Sequence, residues 1–325
     1  MSAADISDTR QGILDSRFRT LQVTPEWDWM APPVINLADP GERIVISFDE
    51  LASERRYLRY SLTHCDAMWR PEGLVDSEFL DSFNEGTVDD YDYSSATVVQ
   101  YVHYSITLPN QQIRITQPGN YLVRVYDEDD PDVTLLQARF GVCDFSASVY
   151  ASARPNTDID SRQAHQQLSV KVDTRNLQVD DPFGDIRIVI SQNGRPDTER
   201  MLTTPQRIRG KELIYEHMPS LIFPAGNEYR RFETASVNYP GIGVQYLSHD
   251  TPVYNAWLYA DTPRDKSQYL YDSTQQGRFL VRTTDDPDRS DTEADYVLTH
   301  FTLQMPQLPD ADIFLEGDLT GRAYD

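Results

Sequence analysis

Lysine is nearly missing from this chain: it occurs only at Lys171, Lys211 and Lys266, and arginine supplies every other basic side chain. Cysteine is scarcer still, with Cys65 and Cys143 alone. Two cysteines exclude a disulfide framework of the kind that holds small secreted domains together. They either pair with each other or stand as separate buried thiols. No stretch approaches the roughly 18–20 apolar residues of a membrane-spanning helix, so direct membrane insertion is not expected. The opening Met1-Ser-Ala-Ala-Asp5 has neither the basic nor the apolar segment of a signal peptide. Either the protein is cytoplasmic or a leader has been exchanged for a start methionine. The glycine patterns of serine hydrolases, P-loops and dinucleotide-binding turns are absent too, which leaves no positive sign of an enzyme.

What the chain has in excess is acid. Fifty-two Asp and Glu against 29 Lys and Arg leave a formal charge of −23, and Asp outnumbers Glu more than twofold. Such a surface repels nucleic acid and anionic lipid. An Asp-rich, Lys-poor surface also stays hydrated where salt screens its self-repulsion, so a halophilic habitat is expected. The hydrophobic share of 39%, with 19 Tyr, suffices for ordinary cores. Twenty Pro and 15 Gly are spread along the chain and read as turn punctuation.

Period-2 alternation is the dominant pattern. In 101–108 one face carries Val102, Tyr104, Ile106 and Leu108, and the other Tyr101, His103, Ser105 and Thr107. The pattern recurs at 43–48, 56–62, 121–126 and 133–142, with turns at Pro109-Asn110 and Pro118-Gly119-Asn120. A wetter excursion over 70–98 contains one helical turn, around 76–82. Further alternating runs follow at 145–153, 166–172, 185–191, 211–216, 228–234, 252–260, 277–282 and 294–304. Short strands with turn-rich connections make antiparallel sandwiches. The expected fold is all-β: two tandem Ig-like β-sandwiches over 15–143 and 144–305, after a flexible N-terminus at 1–14. Residues 306–325 read as a linker and an orphan strand from Ile313, the start of a further β domain.

Few constellations carry chemistry. His64-Cys65-Asp66 precedes Trp69, but neighbours in a strand face opposite ways, which argues against a Cys–His couple. With Trp69 folding back onto the core, this is a strand end. The six histidines never stand at zinc-ligand spacing. Two loops, Asp127–Asp132 and Asp285–Asp291, offer oxygen ligands for Ca²⁺ without the EF-hand glycine or terminal glutamate; in a chain this acidic such clusters arise from composition alone, and they read as solvated loops rather than Ca²⁺ sites. In an extended Gly226–Phe232, Glu228, Arg230 and Phe232 share a face, so Glu228 and Arg230 are expected to pair. Gly226 and Asn227 suit a positive-φ turn before that strand. The segment reads as a structural latch or a partner-binding patch.

Taken in order, several segments resemble the type IX secretion system plug protein family. They are Pro33–Leu37, Arg43–Leu51, Tyr60–Trp69, Tyr101–Asn110, Pro118–Tyr126, Gly226–Phe232 and Ala294–Val297. The series spans roughly 20–317, and the one departure is Met68, where the family usually has an acidic residue. The resemblance implies a periplasmic protein associated with the outer membrane, made with a cleaved signal peptide. It would close the periplasmic mouth of the giant translocon barrel of that system, without catalysis, cofactor or metal. It also implies that the chain is a fragment, since members continue into a further β domain. His64, Cys65, Asp66, Trp69, His103, Tyr104, Pro109, Asn110 and the Gly226–Phe232 positions then have structural or partner-binding roles. Two other readings stand beside it. A carbohydrate- or protein-binding sandwich would align Trp27, Trp29, Trp69 or Trp257 on one concave face. A sandwich hydrolase would bring two carboxylates ~5 to 9 Å apart in a cleft.

Overall fold

Alternation in the first 143 residues closes into two facing sheets. The computed structural model describes residues 9–162, 164–264, 269–307 and 312–320. The first ten strands are β1 (Gly12–Ile13), β2 (Phe18–Pro25), β3 (Val34–Asn36), β4 (Ile44–Glu50), β5 (Leu58–Cys65), β6 (Gly86–Thr87), β7 (Asp90–Tyr93), β8 (Val102–Leu108), β9 (Gly119–Asp127) and β10 (Asp130–Cys143). One sheet runs β1-β10-β9-β5-β6, with β3 parallel to β10, and the other runs β2-β4-β8-β7. Register follows the alternation: Ile44, Ile46 and Phe48 lie opposite Leu108, Ile106 and Tyr104 on one inner face. Tyr60, Leu62 and His64 lie opposite Val125, Val123 and Tyr121 on the other. All are buried. At about 1.5–3 kcal/mol for each large side chain removed from water, this single core dominates the stability of the sandwich.

The strand at 18–25 has no visible period 2 in the sequence. A bulge between Arg19 and Gln22, with Thr20 at φ 60°, shifts the register, so the buried positions fall at Phe18, Leu21 and Pro25. Gly12 and Ile13, within the stretch expected to be a flexible terminus, pair with Gln137 and Leu136 of β10. Residues 1–8 lie outside the described residues.

Beyond Cys143 come β11 (Ser148–Arg154), β12 (His165–Asp173), β13 (Ile188–Ile190), β14 (Arg200–Leu202), β15 (Arg207–Arg209), β16 (Glu212–Tyr215), β17 (Ile222–Pro224), β18 (Val244–Ser248), β19 (Tyr254–Leu258) and β20 (Val297–His300). They divide among three sheets. The sheet β11-β12-β16-β15, with β17 on β12, packs with the β13–β14 hairpin around Val170, Val172, Leu202, Leu213, Tyr215 and Leu221. The sheet β18-β19-β20 is separate, and its last pair is parallel.

Three expected strands are not strands. Residues 228–234 and 277–282 run in irregular conformation, as does the Ile313 run. No backbone ladder forms there; side chains and single backbone hydrogen bonds make the ties, among them Asp318 N to the Gly277 carbonyl at 2.7 Å and Glu233 N to the Ile242 carbonyl at 2.8 Å. Glu316, just past Ile313, accepts from Tyr229 Oη at 2.7 Å and pairs with Arg195 at 2.9 Å. Residues 265–268, 308–311 and 321–325, with Lys266 and the rest of the expected linker, lie outside the described residues.

Candidate functional site

Across β4 and β8, Asp49 and His103 sit directly opposite each other on the face turned away from the core. In an isolated sandwich that face would meet water. Here the chain from 278 to 296 returns over it, and Asp49 is only 4% exposed. His103 Nδ1 donates to Asp49 Oδ1 at 2.6 Å, and Tyr296 Oη donates to Asp49 Oδ2 at 2.6 Å. With its proton committed to Asp49, Tyr296 accepts from the Thr20 hydroxyl, also at 2.6 Å. Thr20 reaches this point because the β2 bulge re-aims it. The buried carboxylate therefore has a donor on each oxygen, the arrangement that makes burial of a charge tolerable.

Titration follows from this geometry. Burial alone would lower the His103 pKa, but the hydrogen bond and charge of Asp49, with Asp291 and Asp90 beyond it, raise it above the ordinary imidazole value. Burial, then the Asp49 charge, raises Tyr296 and Tyr101 far above the usual phenol value, so both remain protonated donors.

The seam extends on both sides of that cluster. Tyr101 Oη donates to the Ala294 carbonyl at 3.0 Å, and its ring meets Tyr296 edge-on at 5.3 Å. Val98 N donates to Asp295 Oδ1 at 2.6 Å, and Ser95 N to the Thr292 carbonyl at 2.9 Å. Gln22 Nε2 donates to the Phe279 carbonyl at 2.7 Å. Arg278 donates to the carbonyls of Trp29 and Ala31, both at 2.8 Å. Two segments singled out in the sequence, 101–110 and 294–297, thus meet although some 190 residues separate them.

The other motif positions sit elsewhere. His64 faces the core, edge-on to Tyr121 at 5.1 Å and beside Phe79 at 5.8 Å. Its Nε2 lies 3.1 Å from the Pro118 carbonyl, and a Glu72 oxygen lies 2.7 Å from Nδ1, off the line of a hydrogen bond. Gly119, at φ +152°, gives the ring its space: a Cβ there would stand 2.2 Å from His64 Nε2. Cys65 points the opposite way, as strand geometry requires, and burial pushes its thiol up to about 11. Strand β9 separates it from Cys143: Cys65 faces Asn120, which faces Gly141. Two strand spacings, roughly 9–10 Å, exceed the reach of a disulfide, and both thiols are free.

Trp69 does not fold back onto the core. It lies on the outer side of the sheet, where the Arg139 guanidinium covers its ring at 4.4 Å. Asp66 builds the turn beneath it, accepting from the amides of Met68 at 2.8 Å and Arg70 at 2.9 Å. Tyr104 is buried, stacked on Phe48 at 5.4 Å, and donates to Glu50, itself paired with Arg56 at 2.8 Å. Asn110, after cis Pro109, accepts from the amides of Gln112 and Ile113 and donates to Tyr60 Oη at 2.8 Å.

The expected Glu228–Arg230 pair does not form. Without a strand the two side chains part: Arg230 binds Asp261 and the Thr262 carbonyl, while Glu228 accepts from Tyr269. Neither Gly226 nor Asn227 has positive φ, since the chain enters an irregular segment and not a tight turn. Asn227 donates to the Arg264 carbonyl at 3.1 Å, and Phe232 meets Phe301 edge-on at 5.4 Å. In the first Asp-rich loop, Asp127 pairs with Arg56 at 3.3 Å and Glu128 with Arg59. In the second, residues 287–293 form two short helical turns.

Trp257 is sandwiched between Tyr246 at 4.6 Å and His300 at 4.3 Å, and Trp69 lies under Arg139. Sequence reasoning missed Asp49, Thr20, Gln22 and Arg278. Only Asp49 left a trace, as an acid on the outward side of an alternating strand.

Residues 18–144 match the family described as Type 9 secretion system plug protein 1st domain. Among solved structures, a hypothetical protein from Parabacteroides merdae ATCC 43184 superimposes with a TM-score of 0.94 at 38% identity. The match covers 97% of this chain and 79% of that one. The alkylpurine DNA glycosylase AlkC of Pseudomonas fluorescens, bound to DNA containing an abasic site analog, reaches a TM-score of only 0.22 at 18% identity. That match covers 39% of this chain and 30% of that one, too little to show a shared fold. No curated protein matches.

Proposed function

The chain belongs to the type IX secretion system plug protein family, and we propose that it closes the periplasmic mouth of the outer-membrane translocon barrel of that system. The observation that carries this reading is the family match over 18–144, the region that forms the first sandwich. Physical character supports it. A plug must cover a wide aqueous opening as a stiff body and leave again, which calls for rigidity and a largely polar surface. The seam around Asp49 and Tyr296 supplies stiffness by fastening 278–296 to the first sandwich. The charge of −23 supplies the polar surface.

On this reading the protein works in the periplasm against the outer membrane, binds the barrel, and performs no catalysis. The His103–Asp49 pair has its carboxylate oxygens taken by His103 and Tyr296, which suits a structural clamp. Release follows when cargo or a gating partner binds the barrel state that excludes the plug. The test is conductance of the purified barrel in a planar bilayer. Adding this chain from the periplasmic side should close the pore; an unchanged conductance at saturating protein would refute the reading.

A further inference from the structure

The excursion between β5 and β6 is tied down along its length. Asp66 caps its first turn, and Glu72 N donates to the His64 carbonyl at 3.2 Å. The short helix α1 (Asp76–Phe79) plants Phe79 in the core beside His64 and Tyr121, and Glu78 accepts from Val75 N at 2.8 Å. Phe79 O accepts from Thr116 N, and Asp81 N donates to the Arg114 carbonyl, both at 2.9 Å. Asn84 then docks side-on to β5, accepting from Leu62 N at 2.8 Å and donating to Leu62 O at 2.7 Å.

Phe79 and Leu80 are buried, but other large apolar side chains of this fixed segment face outward. Phe83 is 92% exposed, Val75 62% and Leu74 38%. Asn84 Nδ2 also donates to Asp76 Oδ1 at 2.9 Å, which holds the chain at 76 against the chain at 84. Val75 and Phe83, one residue before each, therefore stand at the same end of the sandwich. Single apolar residues on a surface are ordinary. An aromatic held out by a segment already ordered is a different matter, because docking it carries little further ordering cost. Aromatic anchors of this kind dominate interface energetics. The surroundings suggest the chemistry of the partner: residues 70–85 hold five carboxylates against Arg70, and although Arg59 pairs with Glu85 and Arg114 with Asp81 at 3.3 Å, Glu72, Asp76 and Glu78 have no arginine partner among the described residues.

We infer that Phe83, flanked by Leu74 and Val75, is the anchor by which this chain docks into an apolar pocket rimmed by arginine and lysine on the translocon barrel. The inference rests on the plug reading and names its contact. The acidic collar draws the basic rim, and the phenyl ring fills the pocket.

The test captures detergent-solubilised translocon barrel with the tagged chain and compares wild type with Phe83→Ser. Loss of an exposed ring leaves the melting temperature unchanged, while affinity for the barrel falls at least tenfold. A photo-reactive phenylalanine analogue placed at position 83 should form its adduct with the barrel. Equal capture by wild type and Phe83→Ser would overturn the docking inference and leave the plug reading standing. Failure of the wild type to capture the barrel would remove both. An adduct with a second copy of this chain would also overturn the inference, by assigning the knob to self-association.

Discussion

Tyr296 donates its phenol proton to the buried carboxylate of Asp49 at 2.6 Å, across 247 residues of chain. That bond decides the character of the seam. Asp49 lies on the outer face of a sandwich strand, where water would ordinarily solvate it, and the returning segment replaces that water. A largely irregular segment can do this because the polar groups it brings match those it covers: a phenol for the carboxylate, carbonyls for Tyr101 and Gln22, and the Arg278 guanidinium for the carbonyls of Trp29 and Ala31.

Replacing Tyr296 by Phe keeps the ring against Tyr101 but strips Asp49 Oδ2 and the Thr20 hydroxyl of their partner. We expect a loss of about 1–3 kcal/mol, the usual cost of a buried polar group left unsatisfied. Native-state hydrogen exchange should show the amides of 278–296 opening sooner while those of β9 and β10 keep their protection. If exchange in 278–296 is unchanged, the seam is not held by this bond.

The raised pKa of His103 makes the seam sensitive to pH. A folded-state value above the ordinary 6.5 means extra stability that is fully present below 6.5 and is lost as pH climbs through the folded value. His103→Gln removes the charge, so the melting-temperature advantage of wild type over the variant should be larger at pH 5.5 than at pH 9. A difference independent of pH would show that His103 does not bind its proton more tightly when folded.

Gly119 is fixed by the ring it faces. Gly119→Ala drives a methyl into His64 Nε2 and places an L-residue at φ +152°, for an expected loss of about 1–3 kcal/mol. Removing the ring relieves the clash but not the backbone strain. The double variant Gly119→Ala, His64→Ala should therefore unfold at lower denaturant than wild type, yet be less destabilised than the two single losses added together. Strict additivity in urea titrations would contradict the contact.

The charge of −23 opposes compaction at low ionic strength. Screening shortens to about 3 Å at 1 M salt, so the melting temperature should rise between dilute buffer and molar NaCl. A flat or falling curve would dispose of the expected adaptation to high salt.

Much of the first sandwich was legible because its strands obey period 2. Ile44, Ile46 and Phe48 against Leu108, Ile106 and Tyr104 is a pairing that alternation alone suggests. Where a bulge broke the period, at Thr20, the strand was invisible. Where apolar residues alternated without a backbone partner, at 228–234 and 277–282, an expected strand did not form. The Glu228–Arg230 pair failed for the same reason, because it assumed a pleat that the chain does not adopt there.

The sequence by itself determined the all-β class, the inner faces of the sandwich and the acidity, since side-chain periodicity and net charge are properties of the chain. His64 and Cys65 facing opposite ways belongs with these. Only the tertiary structure decided that Asp49 and His103 are covered rather than solvated, that Trp69 lies under Arg139, and that Phe83 stands in water. Each of these depends on which distant segment packs against a given face. Local pattern carries no record of that choice, because a residue 247 positions away supplies the partner.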